Sequence, residues 1–325
     1  MATPRDILDC IGNTRMLALR NIVPANGARV LLKLESENPT GSMKDRMALA
    51  MIEAAEADRR LPPGGSVVEY TGGSTGVSLS LVCAVKGYKL HIVSSDAFAQ
   101  EKLDHMRLLG AKLQVVRSDG GRMTEKLTRD MIEAARIITE QTGGFWTDQL
   151  NNTDQLAAYH RMADEIWEQT GGRIDAFVQC VGTAASLRGN AEALRRKAQV
   201  RIVAVEPAES PVLSGGPSGA HKIDGVGAGF VVPLWHDRIA DQIERVSTDD
   251  ARAMAFRLAR EEGLFAGTST GANVIAALRA AERLGPGATV VTVMCDTGMK
   301  YFKTFHPFTA DNAAAPISAG VAAES

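Results

Sequence analysis

Short β-branched and aliphatic runs alternate along this chain with longer stretches of helical periodicity. That alternation limits the fold more than any other feature. The runs fall at 30–34, 66–70, 90–93, 113–117, 176–181, 201–205 and 289–294. Most are near-continuously apolar, as strands covered on both faces must be. The helical stretches fall at 43–58, 75–86, 98–109, 123–141, 154–169, 185–197, 248–262 and 271–283. Strand–helix alternation predicts an α/β fold with largely parallel sheets. So many units in 325 residues predict two open sheets, with a divide near 143–152.

Charge and composition exclude several classes of function. Lys plus Arg is 36 and Asp plus Glu is 38, a net charge of −2. No field of one sign is available to draw in nucleic acid or an anionic membrane. No apolar run reaches the roughly 18–20 residues that cross a bilayer. The opening residues lack the charged-then-apolar layout of a secretion signal. Cys10, Cys83, Cys180 and Cys295 lie far apart without a C-x-x-C pair, and the six histidines form neither H-E-x-x-H nor H-x-H. Neither a disulfide framework nor a metal site is expected, and a reducing, cytoplasmic setting fits.

Four glycine-rich loops stand where strands hand over to helices, the places where α/β proteins bind ligands. They are Tyr70-Thr71-Gly72-Gly73-Ser74-Thr75-Gly76, Val181-Gly182-Thr183-Ala184-Ala185-Ser186, Gly225-Val226-Gly227-Ala228-Gly229 and Gly267-Thr268-Ser269-Thr270-Gly271. Any one of them reads equally well as an ordinary turn. Four that mix glycine with hydroxyl residues read as cradles for an anion and a cofactor. Two also match the G-x-S-x-G nucleophile elbow, around Ser74 and Ser269, and His306 is available to Ser74. A serine hydrolase is therefore one alternative, although Ser74 comes too early in the strand order and two elbows in one chain suggest chance. A non-catalytic binding protein is another. No G-K-[ST] follows a glycine loop, and no G-x-G-x-x-G follows a strand.

Lys44 occupies an unfavourable place. In Asn38-Pro39-Thr40-Gly41-Ser42-Met43-Lys44-Asp45-Arg46, Ser42 is a natural N-cap and forms a capping-box pattern with Asp45. Met47, Met51 and Ala55, with Ala48 and Ile52, then line one helix face. Lys44 falls in the first turn, where the helix dipole disfavours positive charge. Burial would lower its pKa further, and a neutral amine is what imine formation with an aldehyde requires. Spacing alone favours a plainer reading, an exposed lysine paired with Asp45 or Glu35.

From Ile11 to Phe305 the chain resembles the cysteine synthase and cystathionine β-synthase family of fold-type II pyridoxal-phosphate enzymes. Ile11-Gly12-Asn13-Thr14 resembles its opening "IGNTP", and Asn38–Arg46 its cofactor-lysine motif "NPxxSxKDR". Glu69 to Gly76 resembles the substrate loop "EPTSGNTG", and Asp148-Gln149-Leu150-Asn151-Asn152 the segment with a substrate-binding glutamine. Val181 to Ser186 resembles the phosphate loop "VGTGGT". The segments 206–216 and 221–230 are close to the cysteine synthase form. Gly267 to Gly271 resembles the loop at the cofactor nitrogen, and Asp296-Thr297-Gly298 its "DSG".

The resemblance implies a tryptophan synthase β-like pair of domains. An N-terminal segment, 1–41, would pack with a large cofactor-binding domain, 149–308. A smaller mobile domain, 42–148, would close over the cleft, and 309–325 would be a flexible tail. Pyridoxal 5'-phosphate would be held by Lys44, Ser74, Gly182, Thr183, Ala184, Ala185, Ser186, Ser269 and Asp296. Lys44 would bind it covalently and then act as general base at Cα. Ser269, a neutral hydroxyl at the pyridine nitrogen, would make the ring a weaker electron sink, which suits β-elimination. Thr71, Gly72, Gly73, Ser74, Thr75 and Gln149 would bind the substrate.

The implied activity is β-replacement on O-acetylserine or O-phosphoserine with sulfide or a related thiol, through an aminoacrylate. Elimination, as in a cysteine desulfhydrase or a serine/threonine dehydratase, is the alternative within the same chemistry. The implied partners are a small amino-acid substrate and a small nucleophile, in a homodimer. The chain departs from the family pattern in three places: Ser74 for an asparagine, Ala184-Ala185 for two glycines, and Cys295 for a proline. Positive φ at either alanine would be strained.

Overall fold

The computed structural model describes residues 6–121, 124–236 and 238–305. His306 and the tail expected over 309–325 lie outside them, as does the first residue of the helix expected at 123. The described residues form an α/β fold with two sheets. The strands are β1 (Met16–Ala18), β2 (Arg29–Leu34), β3 (Ser66–Tyr70), β4 (Lys89–Ser95), β5 (Lys112–Val116), β6 (Phe145–Trp146), β7 (Ala176–Cys180), β8 (Arg201–Pro207), β9 (Gln242–Val246) and β10 (Thr289–Met294). The helices are α1 (Lys44–Ala57), α2 (Ser74–Lys86), α3 (Gln100–Leu108), α4 (Glu125–Thr142), α5 (Leu156–Gln169), α6 (Ala185–Arg195), α7 (Thr248–Glu261), α8 (Thr268–Leu284) and the short α9 (Phe302–Phe305).

The larger sheet has the order β1-β2-β10-β7-β8-β9 and the smaller β5-β4-β3-β6. All pairings are parallel except that of β1 with β2. The last strand, β10, lies centrally, with Val291 opposite Leu31 on one side and Phe177 on the other. The N-terminal segment thereby joins the larger sheet, while β6 joins the smaller one.

Strand burial follows the apolar runs in β2, β3, β7, β8 and β10, whereas β5, at the edge of the smaller sheet, is largely exposed. β7 is buried along its whole length, as a central parallel strand covered by helices on both faces must be. Met47, Ala48, Met51, Ile52 and Ala55 of α1 are all fully buried. They belong to one apolar cluster that also takes in Val67 and Ile92 of the smaller sheet and Phe177 and Ile202 of the larger. A second cluster fills the other face of the larger sheet against α7 and α8.

One local expectation is corrected. The residue capping α1 is Met43, without a side-chain cap, so no Ser42–Asp45 capping box forms. The Asp45 carboxylate instead accepts from Thr40, before the helix, and from Ser78 of α2. α1 is held by a buried ion network. Arg46 donates to Glu35 at 2.6 Å and to Glu165 of α5 at 2.7 Å, and Lys33 donates to Glu165 at 2.6 Å.

Candidate active site

The exit of β10 is stapled to the entry of α1. Met43 N–H donates to the Cys295 carbonyl at 2.9 Å, Thr297 N–H donates to the Gly41 carbonyl at 3.0 Å, and Ser42 bridges Asp296. This brings Lys44 beside Cys295 and Asp296, both of which act on its charge. Burial lowers the Lys44 pKa, only partly opposed by Cys295 and Asp296. The pairing with Asp45 or Glu35 does not occur: Asp45 is taken by Thr40 and Ser78, and Glu35 by Arg46, Thr14 and Asn38. Among the described residues the Lys44 amine forms no hydrogen bond or ion pair.

Asp296 is 5% exposed. One oxygen accepts from the Tyr301 hydroxyl and, at 3.4 Å, from Ser74; the other, Oδ1, is buried without a partner. Burial raises its pKa. Gly267 makes room for it, since a Cβ there would lie 2.6 Å from Oδ1. Burial likewise pushes the Cys295 thiol up to about 12, so it is no thiolate nucleophile. Ser269 lies in the first turn of α8, 4% exposed.

The loop from Thr71 to Gly73 runs from β3 into α2. Gly73 N–H donates to Thr71 Oγ1 at 3.2 Å, and the Phe98 ring lies so close over Gly72 that a Cβ would come within 2.0 Å of it. Thr75 donates to Gln149 Oε1 at 2.8 Å, which ties the loop to the segment after β6. Glu69 organises this junction, a role the sequence reading missed. It accepts from Tyr70 N–H at 2.9 Å, Thr147 Oγ1 at 2.7 Å and Gln149 N–H at 3.0 Å. Burial raises its pKa to about 7. The signal was present, a lone carboxylate at the end of an apolar strand.

The loop at 181–184 caps α6. Ala184 has φ +69°, in the left-handed region, whereas Ala185 begins the helix. The strain expected at two alanines therefore falls on one. Gly182 packs on backbone: a Cβ would sit 2.4 Å from the Gly225 carbonyl oxygen. The Ser186 hydroxyl is bonded to Gln179 at 2.8 Å, so Ser186 offers this loop its backbone N–H, one of the first-turn donors without an intrahelical partner.

The residues present thus fit an aldehyde-bearing phosphate ester. There is a half-buried amine with no partner, a helix N-terminus framed by a glycine that cannot carry a side chain, and an unpartnered buried carboxylate oxygen on Asp296. The family model of the pyridoxal-phosphate dependent enzymes matches residues 7–296. The chain belongs to that family.

As a pyridoxal-phosphate dependent enzyme it has relatives along nearly its whole length. It is 41% identical to a cysteine synthase of Staphylococcus aureus over 302 residues, covering 92% of this chain and 96% of that one. The fold is similar to O-acetyl serine sulfhydrylase isoform 3 of Entamoeba histolytica, with TM-score 0.87, 36% identity and 97% and 96% of the two chains covered. It is also similar to an O-ureido-L-serine synthase, with TM-score 0.88, 34% identity and coverages of 97% and 98%. Pyridoxal phosphate is the cofactor, as family membership requires. The hydrolase alternative gives way to this membership. Ser74 bonds Asp296 and Lys300, while the hydrogen-bonded histidines, His160 and His221, pair elsewhere. No helix among the described residues is long and apolar enough to cross a membrane, and no metal-binding group occurs among them.

Proposed function

We propose that this enzyme replaces the β-substituent of an O-activated serine, O-acetylserine or O-phosphoserine, with sulfide or a related thiol, giving cysteine or a cysteine-like product. The observation that carries the reading is the half-buried, unpartnered Lys44 amine at the start of α1, beside Cys295 and Asp296. Pyridoxal phosphate, when bound, withdraws electrons from the Cα of the amino acid joined to it. The chain's own residues do the rest.

Lys44 holds the cofactor covalently and then moves the proton at Cα, for which a burial-lowered pKa suits it. Backbone N–H groups of Gly182, Thr183, Ala184, Ala185 and Ser186 take the phosphate at the helix N-terminus. Ser269 meets the pyridine nitrogen with a neutral hydroxyl, and Ser74 and Asp296 complete the cofactor's surroundings. The Thr71–Thr75 loop and Gln149 bind the substrate carboxylate. The smaller unit, 42–148, closes over the cleft of the larger, 149–308, against which 1–41 packs. Pairing of β2 with β10 supports the place of the N-terminal segment. We place the enzyme in the cytoplasm as a homodimer. Four unpaired cysteines support the first assignment, and the family resemblance the second.

The test is product analysis. Purified holoenzyme given O-acetylserine or O-phosphoserine and sulfide is expected to form cysteine. Pyruvate and ammonia in its place would make it an eliminating lyase. No turnover of either ester would overturn the reading.

A further inference from the structure

Two lysines stand near Asp296, and one of them reaches the substrate loop. Lys300, on the turn Gly298–Tyr301 after β10, donates to Ser74 Oγ at 3.4 Å. It has no carboxylate within ion-pair distance among the described residues. Asp296 and Asp45 act on it through their fields, yet both carboxylates are already hydrogen-bonded, Asp296 by Tyr301 and Ser74, Asp45 by Thr40 and Ser78. Lys102 of α3 lies 4.3 Å above the Tyr301 ring and 3.5 Å from Asp224. It is 7% exposed. Ser74 itself opens α2; of the first-turn N–H groups, that of Gly76 donates to the Gly73 carbonyl at 3.1 Å, which leaves those of Ser74 and Thr75 without an intrahelical partner.

The loop therefore has two polar sides. Thr75 interlocks with Gln149 on one, at 2.8 Å. Ser74 turns to Lys300 and Asp296 on the other. The α-carboxylate accounts for the first side and the cofactor for Ser74 and Asp296, which leaves Lys300 and Lys102 unexplained. A hydrosulfide nucleophile does not need an ammonium, a hydroxyl and a helix N-terminus together.

We infer that Lys300, with Ser74 and Lys102, seats an oxyanion carried on the β-substituent, so that a phosphate monoester of serine is preferred to the uncharged acetate ester. This rests on the β-replacement reading and narrows it. A phosphate also suits the departure step: the Cβ–O bond breaks with its electron pair leaving on the phosphate, and an adjacent ammonium stabilises the charge that develops. Burial lowers the Lys300 pKa, and an arriving anion reverses that penalty.

The experiment compares kcat/KM for O-phosphoserine and O-acetylserine, each with sulfide, in wild-type holoenzyme, Lys300→Met, Lys300→Arg and Lys102→Met. Binding of inorganic phosphate to the same holoenzymes is measured by calorimetry. Wild type is expected to favour O-phosphoserine at least tenfold. Lys300→Met should lower that ratio about 10-fold to 100-fold, the worth of a charge-assisted hydrogen bond, mainly through KM for the phosphate ester, and should weaken phosphate binding. Lys300→Arg should restore most of the ratio. Lys102→Met should shift it in the same direction by less, which gives a reading should Lys300→Met not fold. A wild type that favours O-acetylserine, or variants that lose both esters equally, would overturn the inference. If neither ester is turned over but phosphate binds and is lost in Lys300→Met, the oxyanion seat stands and the β-replacement reading falls.

Discussion

The Thr75 hydroxyl donates to the side-chain oxygen of Gln149 at 2.8 Å. This bond spans from the first turn of α2 to the segment after β6, and it leaves the Gln149 amide nitrogen only a long bond of 3.3 Å to the Tyr70 carbonyl. In the proposed reading that amide donates to the substrate carboxylate.

Gln149→Ala is therefore expected to raise KM for the amino-acid substrate about tenfold or more, the worth of a hydrogen bond to a charged group. Cofactor affinity should move far less. Thr75→Val should act in the same direction, and the two effects should be non-additive, because they remove one arrangement. Steady-state kinetics with cofactor titration checks both. A change confined to cofactor occupancy would take Gln149 out of the substrate site.

Lys44→Ala is expected to abolish borohydride-trappable cofactor and to lower turnover by at least about a thousandfold, since covalent anchoring and general-base catalysis go together. The fold should persist, because the amine makes no hydrogen bond or ion pair among the described residues and the α1 core face does not involve it. Mass spectrometry after borohydride, beside a melting curve, separates the two. Trapped cofactor in the variant would move the anchor to another lysine.

These residues also show what the sequence made legible. Burial on both faces writes β2, β7 and β10 as apolar runs, so the parallel-sheet fold was readable. β6 has only two residues, and β9, Gln242-Ile243-Glu244-Arg245-Val246, is an edge strand with alternating charge. Neither produces a run, and both went unseen. The lysine and the loops were readable because glycine and hydroxyl residues cluster at strand ends. Lys300, Tyr301 and Glu69 were not, because each acts through a partner 70 or more positions away, at Ser74, at Lys102, and at Thr147 and Gln149.

Glu69 gives a pH-dependent stability. Burial raises its pKa from 4.5 to about 7. For a carboxyl whose pKa is raised on folding, the favourable contribution is complete below pH 4.5 and is lost as pH rises through about 7. Glu69→Gln should remove that slope, which amounts to at most about 3 kcal/mol. Urea unfolding of wild type and variant at pH 5 and pH 8 measures it. Parallel slopes would mean that Glu69 is ionised throughout.

Glu165 has the opposite sign. Burial alone would raise its pKa, but the hydrogen bonds and charges of Arg46 and Lys33 outweigh it and hold the group at about 2. Its contribution is present above the ordinary 4.5 and lost as pH falls toward 2. Glu165→Ala leaves Arg46 and Lys33 buried with one carboxylate fewer, an expected cost of about 3–5 kcal/mol. Because this network fixes α1, the loss should appear as a lower melting temperature in apo and holo protein alike. A variant as stable as wild type would show that water replaces the carboxylate.

Ala184 carries the one strained backbone in the phosphate loop, with φ +69° immediately before α6. A left-handed L-residue costs roughly 1–2 kcal/mol, and glycine removes that cost while adding about 0.5–1 kcal/mol of chain entropy. Ala184→Gly should therefore stabilise the protein by about 0.5–1 kcal/mol, unless loss of its buried methyl offsets the gain. Ala185→Gly is the control. Ala185 has helical geometry as the first residue of α6, so glycine there relieves nothing and should destabilise by about 0.5–1 kcal/mol. Denaturant unfolding of the two apo variants reads the difference directly, and their opposite signs are the expected result. Equal destabilisation by both would show that the Ala184 methyl contributes more through packing than its backbone loses through strain.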